Sequence, residues 1–332
     1  MRALRFDGQA VVLDKSAAEP VAAAGEAVVI PVVMAGSAAD WPLGGEAGRV
    51  LGHEFVGVVE RVEQPGAEPG FKHALVGQRV VASVSVSCGA CELCRKGLGP
   101  HCRGRKMLGL PGAGGRDGCF ADRVVVPTRN LHVVPAGLSD EVAVFAEPVA
   151  SALHAKACFR PEGRPYITVL GESAMGLLVV QVMARLNASV RLVGTDPARL
   201  SLCDRWGVKQ RALAEVGLRG DQDVVIECTG TARGLSTALG MVRPRGRIIL
   251  KQAFTGGEAG ESVPENVDLS PAIASEVEII GSRCGNIADA LAALARGEVD
   301  ISPLVARRGR LAEGAALLAG VRGGYQSVLL AA

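Results

Sequence analysis

Tyr166-Ile167-Thr168-Val169-Leu170-Gly171-Glu172-Ser173-Ala174-Met175-Gly176 reads as a β-branched, apolar run that stops at a glycine and turns at once into a helix. Met175, Leu178, Val179, Val182, Met183 and Leu186 then recur at helical spacing. Strand, tight turn and helix in that order open a parallel sheet covered by helices. Downstream, Val190–Val193, Asp223–Cys228, Arg247–Leu250 and Val277–Ile280 read as further strands, with helices over Pro197–Trp206 and Thr231–Val242. The alternation predicts a doubly wound α/β domain. Upstream, as far as about Pro148, the runs Ala27–Val33, Phe55–Val62, Gln78–Val86 and Asp122–Pro127 are separated by Gly- and Pro-containing turns and predict an all-β region.

A chain of 332 residues exceeds what one hydrophobic core usually covers, so two domains are expected. Apolar residues make up 48% of it, yet no stretch approaches the ~20 uninterrupted apolar residues of a membrane span. The start, Met1 to Gly8, meets charge almost at once and lacks the apolar segment of a secretory signal, so the expectation is a soluble, cytoplasmic protein without a membrane partner. A net charge of +2, from 36 basic and 34 acidic residues, gives little field for a polyanion, which argues against nucleic acid. Nine cysteines, four of them clustered, fit a reduced compartment with one local metal site better than disulfides. Gly256–Pro264 is the one compositionally loose stretch and reads as a surface loop.

The turn Gly171–Gly176 stands where dinucleotide folds carry G-x-G-x-x-G, with Ser173 at the middle glycine. Gly171 permits the tight turn and Gly176 close packing of helix on strand, while the helix start at Met175 offers free amides to a pyrophosphate. Ser173 narrows the backbone approach but adds a hydroxyl donor. About twenty residues on, Val193-Gly194-Thr195-Asp196 ends the next strand, where an acid would hold the ribose hydroxyls of NAD. Gly194 at that place leans to NADP, Asp196 would repel a 2′-phosphate, and Arg199 could attract one, so NAD and NADP both stay open.

Cys88, Cys91, Cys94 and Cys102 form a C-x-x-C-x-x-C-x7-C array with Gly89, Gly97 and Gly99 between them. Four converging thiolates make a closed, structural zinc site. An iron–sulfur cluster takes similar ligands, but the short Gly-rich loop has no Cys-Pro ending. This spacing inside an all-β region resembles the structural zinc lobe of zinc-containing medium-chain dehydrogenases. Gly52-His53-Glu54-Phe55-Val56-Gly57-Val58-Val59 resembles the G-H-E-x-x-G-x-V element of the same family. The resemblance implies that His53 is a catalytic zinc ligand with Glu54 beside the metal. Phe145-Ala146-Glu147-Pro148 is similar to the F-x-E-P element of polyol and threonine dehydrogenases, in which the Glu is another ligand; read alone, Glu147 is an acid at a helix start. Asp223–Gly230 and Gly281–Gly285 resemble family segments beside the nicotinamide, which implies cofactor roles for Thr229, Gly230 and Arg283.

The chain departs from the family at Met34–Asp40. With Asp40 aligned, Ser37 stands in place of the zinc-binding Cys and Ala39 in place of the relay hydroxyl. A serine hydroxyl is a poor zinc ligand, so the site must recruit Asp40, bind through Glu54, hold zinc weakly or work without it. The resemblance implies a GroES-like catalytic domain over 1–150, a Rossmann domain over 151–284, a C-terminal segment 285–332 returning to the first domain, and homodimers or homotetramers. Three functions stay open: a zinc-dependent alcohol or polyol dehydrogenase using NAD or NADP, a zinc-independent carbonyl or enoyl reductase, and a catalytically silent nucleotide-binding redox sensor.

Overall fold

The computed structural model describes residues 1–36, 47–64, 73–110, 115–252, 267–319 and 326–330, the last of these as backbone. Ser37, Asp40 and the expected loop Gly256–Pro264 lie outside them. The chain forms two compact units. One comprises Met1–Glu147, Ile287–Gly297 and Leu304–Ala332, the other Pro148–Asn286 and Glu298–Pro303.

The second unit is built on six parallel strands, in the order Lys209–Ala212, Ser189–Gly194, Tyr166–Leu170, Gln222–Glu227, Val242–Leu250 and Glu278–Gly281. This is a Rossmann-type order: the chain winds outward one way from Tyr166–Leu170 and then the other, so the crevice for a ligand opens at the carboxyl ends beside that central strand. The helix Ala174–Ala184 buries Leu177, Leu178, Val179, Val180, Val182 and Met183, nearly its whole circumference, because it is enclosed rather than lying half in water. Lys209–Ala212 was not expected from its sequence. It is a polar edge strand that pairs on one side only, and its residues alternate between exposed and half-buried. The expected helix over Pro197–Trp206 divides into an α-helical turn, Pro197–Leu200, and a 3-10 stretch, Ser201–Trp206.

The first unit carries a seven-stranded sheet. Val305–Arg310, Gln326–Leu330, Glu26–Gly36, Glu54–Val62, Arg79–Ala82 and Leu131–Val133 follow one another, and Val124–Pro127 pairs with the start of Glu26–Gly36. The expected strand Gln78–Val86 breaks at Ser83. The Asn130 side-chain amide donates to the carbonyls of Ser83 and Ser85, which turns the chain off the main sheet and leaves Arg79–Ala82 and Ser85–Val86 as strands of separate sheets. Among the described residues no helix is long and apolar enough to cross a membrane.

Candidate active site and metal centres

Two clusters of metal-ligating side chains occur among the described residues, both within the first unit. In the first, Cys88, Cys91, Cys94 and Cys102 bring their sulfurs within 4.8 Å of one another. The Cys88–Cys94, Cys91–Cys94 and Cys91–Cys102 separations are 3.9, 3.5 and 3.7 Å. Sulfurs placed tetrahedrally about 2.3 Å from one zinc would stand about 3.8 Å apart, so the donor set fits that ion. The backbone amides of Ala90 and Cys91 pull the Cys88 thiol down to about 6, toward the thiolate a metal requires. The loop is closed at its base by the short pair Ser85–Val86 and Lys106–Met107. Its two helical turns, Glu92–Arg95 and Gly99–His101, bury no residue at all, so apolar packing does little to hold it.

The second cluster joins His53, Glu54 and Glu147, whose ligand atoms also lie within 4.8 Å of one another. His53 and Glu54 are 5% and 3% exposed, with Nε2 of the imidazole 3.6 Å from Oε1 of the carboxylate. Gly52 sets this up. It takes φ +91°, and a Cβ there would stand 2.4 Å from the Phe120 ring, so only a glycine lets the loop lie flat on that ring and deliver His53 to the head of the strand Glu54–Val62. Glu147 comes from the first turn of the helix Ala146–Ala157. Two carboxylates and an imidazole crowded together while two of the three are buried suit a cation, and among the described residues they would supply one nitrogen and two oxygen donors, three of the four positions of a tetrahedral ion. Glu54 therefore joins the cluster directly. Cys119, fully buried, donates its thiol to the Glu54 carbonyl at 3.6 Å, and nothing in the sequence pointed to it.

In the second unit the turn Gly171–Gly176 lies at the carboxyl end of the central strand. Gly171 takes φ +103°, and a Cβ on Gly176 would stand 1.9 Å from the Gly171 carbonyl oxygen, so the turn folds back onto the helix start. Ser173 caps the helix: its hydroxyl accepts from the Gly176 amide and donates to the Cys228 carbonyl, both at 3.3 Å. That hydroxyl is committed to the turn rather than standing free as a donor. Met175, in the first helical turn, is half-buried. Thr229 lies against Gly171, and Thr229 and Gly230 are both anchored by the buried Glu227 carboxylate. It accepts from the Thr229 amide at 2.7 Å, the Gly230 amide at 3.2 Å and the Thr229 hydroxyl. Burial pushes the Glu227 carboxyl up, against the pull of those three donors.

Arg283 is exposed, and it is its carbonyl that faces inward, accepting from Lys251 Nζ at 2.7 Å and Ser151 Oγ at 2.8 Å. Lys251, 8% exposed, also donates to Ser282 Oγ at 3.3 Å, and that hydroxyl is 2.9 Å from His154 Nδ1. This chain of polar groups follows the last two strands of the sheet. Its members are scattered from Ser151 to Arg283, 132 positions apart, so no local spacing announced it.

Residues 22–136 match the alcohol dehydrogenase GroES-like domain family and residues 174–297 the zinc-binding dehydrogenase family. A sorbitol dehydrogenase of Arabidopsis thaliana is 32% identical over 78% of this chain and 72% of its own length. The chain belongs to the zinc-containing medium-chain dehydrogenase family. An L-idonate 5-dehydrogenase of Vitis vinifera is 31% identical over 78% of the chain and 71% of its own. Alcohol dehydrogenase TADH from Thermus sp. ATN1, a solved structure, superposes with a TM-score of 0.83 at 26% identity, covering 100% of each chain. This dehydrogenase is thus an oxidoreductase of the alcohol dehydrogenase type, joining a GroES-like domain to a Rossmann domain and working with a nicotinamide cofactor.

Proposed function

We propose that this dehydrogenase oxidises a polyhydroxy alcohol at a carbinol carbon, or reduces the matching carbonyl, with a zinc ion held by His53, Glu54 and Glu147. The convergence of those three side chains within 4.8 Å carries the reading. The sugar-alcohol and sugar-acid specificities in the names of the relatives support the substrate class. In the forward direction the alcohol loses a hydride from carbon and a proton from oxygen, giving a carbonyl, reduced nicotinamide and one released proton. When bound, zinc supplies Lewis acidity toward the substrate oxygen and the nicotinamide takes up the hydride.

The residues themselves do the rest. Glu54 stands in for the thiolate that Ser37 cannot provide, and two carboxylates balance the charge of a divalent ion. His53 contributes a neutral ring nitrogen, and its burial keeps bulk water from that side. The Gly171–Gly176 turn presents the amides at the helix start to the pyrophosphate, with Thr229 and Gly230 alongside. The cysteine lobe holds a second, structural zinc.

Zinc per chain, measured together with turnover on a panel of polyols and their keto forms, tests this. The expected result is about two zinc ions per chain, with activity lost when the more labile one is removed and restored by adding it back. Full turnover with about one zinc per chain would overturn the metal assignment and favour a zinc-free reductase.

A further inference from the structure

We infer that Glu172, the second residue of the dinucleotide turn, sets the choice of cofactor and selects NAD over NADP by occupying the place of the ribose-binding acid. The inference rests on the reading of Gly171–Gly176 as the pyrophosphate turn. In dinucleotide folds the acid that takes the ribose hydroxyls ends the second strand. Here that strand, Ser189–Gly194, ends in a residue with no side chain. The gap is filled from the neighbouring turn. Glu172 Oε1 accepts from the Thr195 amide, the Thr195 hydroxyl and the Asp196 amide, each at 2.9 Å. Its other oxygen lies over Gly194, where a Cβ would stand 2.0 Å from Oε2 and 2.5 Å from the carboxyl carbon. Gly194 is therefore not the opening for a 2′-phosphate that its small size suggests; it is the clearance the Glu172 carboxylate needs.

The charge and hydrogen-bond arrangement at the strand end points the same way. Asp196 Oδ1 caps the helix Pro197–Leu200 through the Ala198 amide at 2.9 Å, and its Oδ2 lies 3.3 Å from Arg199 Nε. Arg199 is thus matched by Asp196, and Glu172 adds a further negative charge. A 2′-phosphate would meet that carboxylate and would find the amides of Thr195 and Asp196 already taken by Oε1. A 2′-hydroxyl can donate to Oε2 without disturbing any of these bonds.

The test is fluorescence titration of the whole protein with NADH and with NADPH, on the wild type, Glu172→Gln and Gly194→Ala. The glutamine keeps an acceptor for the amides but removes the charge, and the alanine methyl displaces Glu172 while leaving it in the chain. The wild type is expected to bind NADH tighter by roughly tenfold or more, and both variants to narrow that ratio by about tenfold, chiefly by gaining affinity for NADPH. A wild type that prefers NADPH, or a ratio unmoved in both variants, overturns the role of Glu172 while the dinucleotide reading stands. A wild type that binds neither nucleotide overturns both.

Discussion

The cysteine lobe and the His53 cluster are the two places among the described residues of the first unit where ligating side chains converge, and they are assembled in opposite ways. The lobe draws four sulfurs from one short loop, Cys88 to Cys102, whose helical turns bury nothing, so a metal must supply the order that packing does not. The His53 cluster draws three side chains from a loop, a strand head and a helix start, with His53 and Glu147 far apart in sequence and each element seated on buried neighbours. In the lobe the metal would organise the chain. At His53 the chain organises the ligands, and the three it brings together among the described residues would leave a tetrahedral ion one place for chemistry. Closed and local suits structure; open and long-range suits catalysis.

The most forceful way to break this comparison is to remove His53. His53→Ala is expected to lower kcat/KM by at least about 100-fold, since several kcal/mol of transition-state stabilisation would be lost. Elemental analysis should then find the lobe's zinc retained, and loss of both metals would mean that the two sites are not independent. Cys94→Ser is expected to do the reverse, with a melting temperature lowered by about 5 °C or more and new proteolytic cleavage between Cys88 and Cys102, while kcat in the surviving folded protein changes less than for His53→Ala. If thermal melting and limited proteolysis of the zinc-stripped lobe match the loaded protein, the lobe is held by packing after all.

Gly52→Ala should cost about 1–3 kcal/mol of stability, because the methyl meets the Phe120 ring and the backbone is left-handed there. Its effect on kcat should exceed its effect on KM if His53 is misplaced, which steady-state kinetics would separate. The smallest expected effect is one of pH. With its acidity near 6, the Cys88 thiolate persists above that value in the metal-free lobe and takes up a proton below it. Cys102, by contrast, is pushed up to about 11 by burial and the neighbouring Cys88, so zinc displaces its proton already at pH 8, and resistance of the lobe's zinc to a chelator should fall steadily below pH 8 and more steeply once pH drops through about 6. A decline with no steepening near pH 6 would show that the Ala90 and Cys91 amides do not stabilise the Cys88 thiolate.

What the sequence made legible follows from the same contrast. The cysteine array and the Gly171–Gly176 turn are local patterns in which spacing alone fixes geometry, and strand and helix periodicity around Tyr166–Leu186 carries the Rossmann assignment. His53 and Glu147 could be named only by resemblance, since nothing in either segment says that they meet. Glu172 occupies a variable position of the fingerprint, so no motif flags it; only its three hydrogen bonds to the end of the next strand reveal a purpose. Gly194, read alone, leans to NADP, against the NAD preference we infer from Glu172. Lys209–Ala212 escaped because Lys-Gln-Arg-Ala carries no hydrophobic alternation, and an edge strand requires none.

The strand Gln326–Leu330 pairs with Val33–Gly36 on one side and with Val305–Arg310 on the other, so the first unit's sheet is stitched together by the two ends of the chain. During synthesis Gln326–Leu330 must emerge from the ribosome before that sheet can close. The six parallel strands between Tyr166 and Gly281, by contrast, have all emerged well before then. The nucleotide-binding half is thus free to fold first, while the β-rich half waits with the Val33–Gly36 part of its edge unpaired. Deletion of Gln326–Leu330 would prolong that wait indefinitely, and the vulnerable species would be a chain folded over its parallel sheet and open along Val33–Gly36.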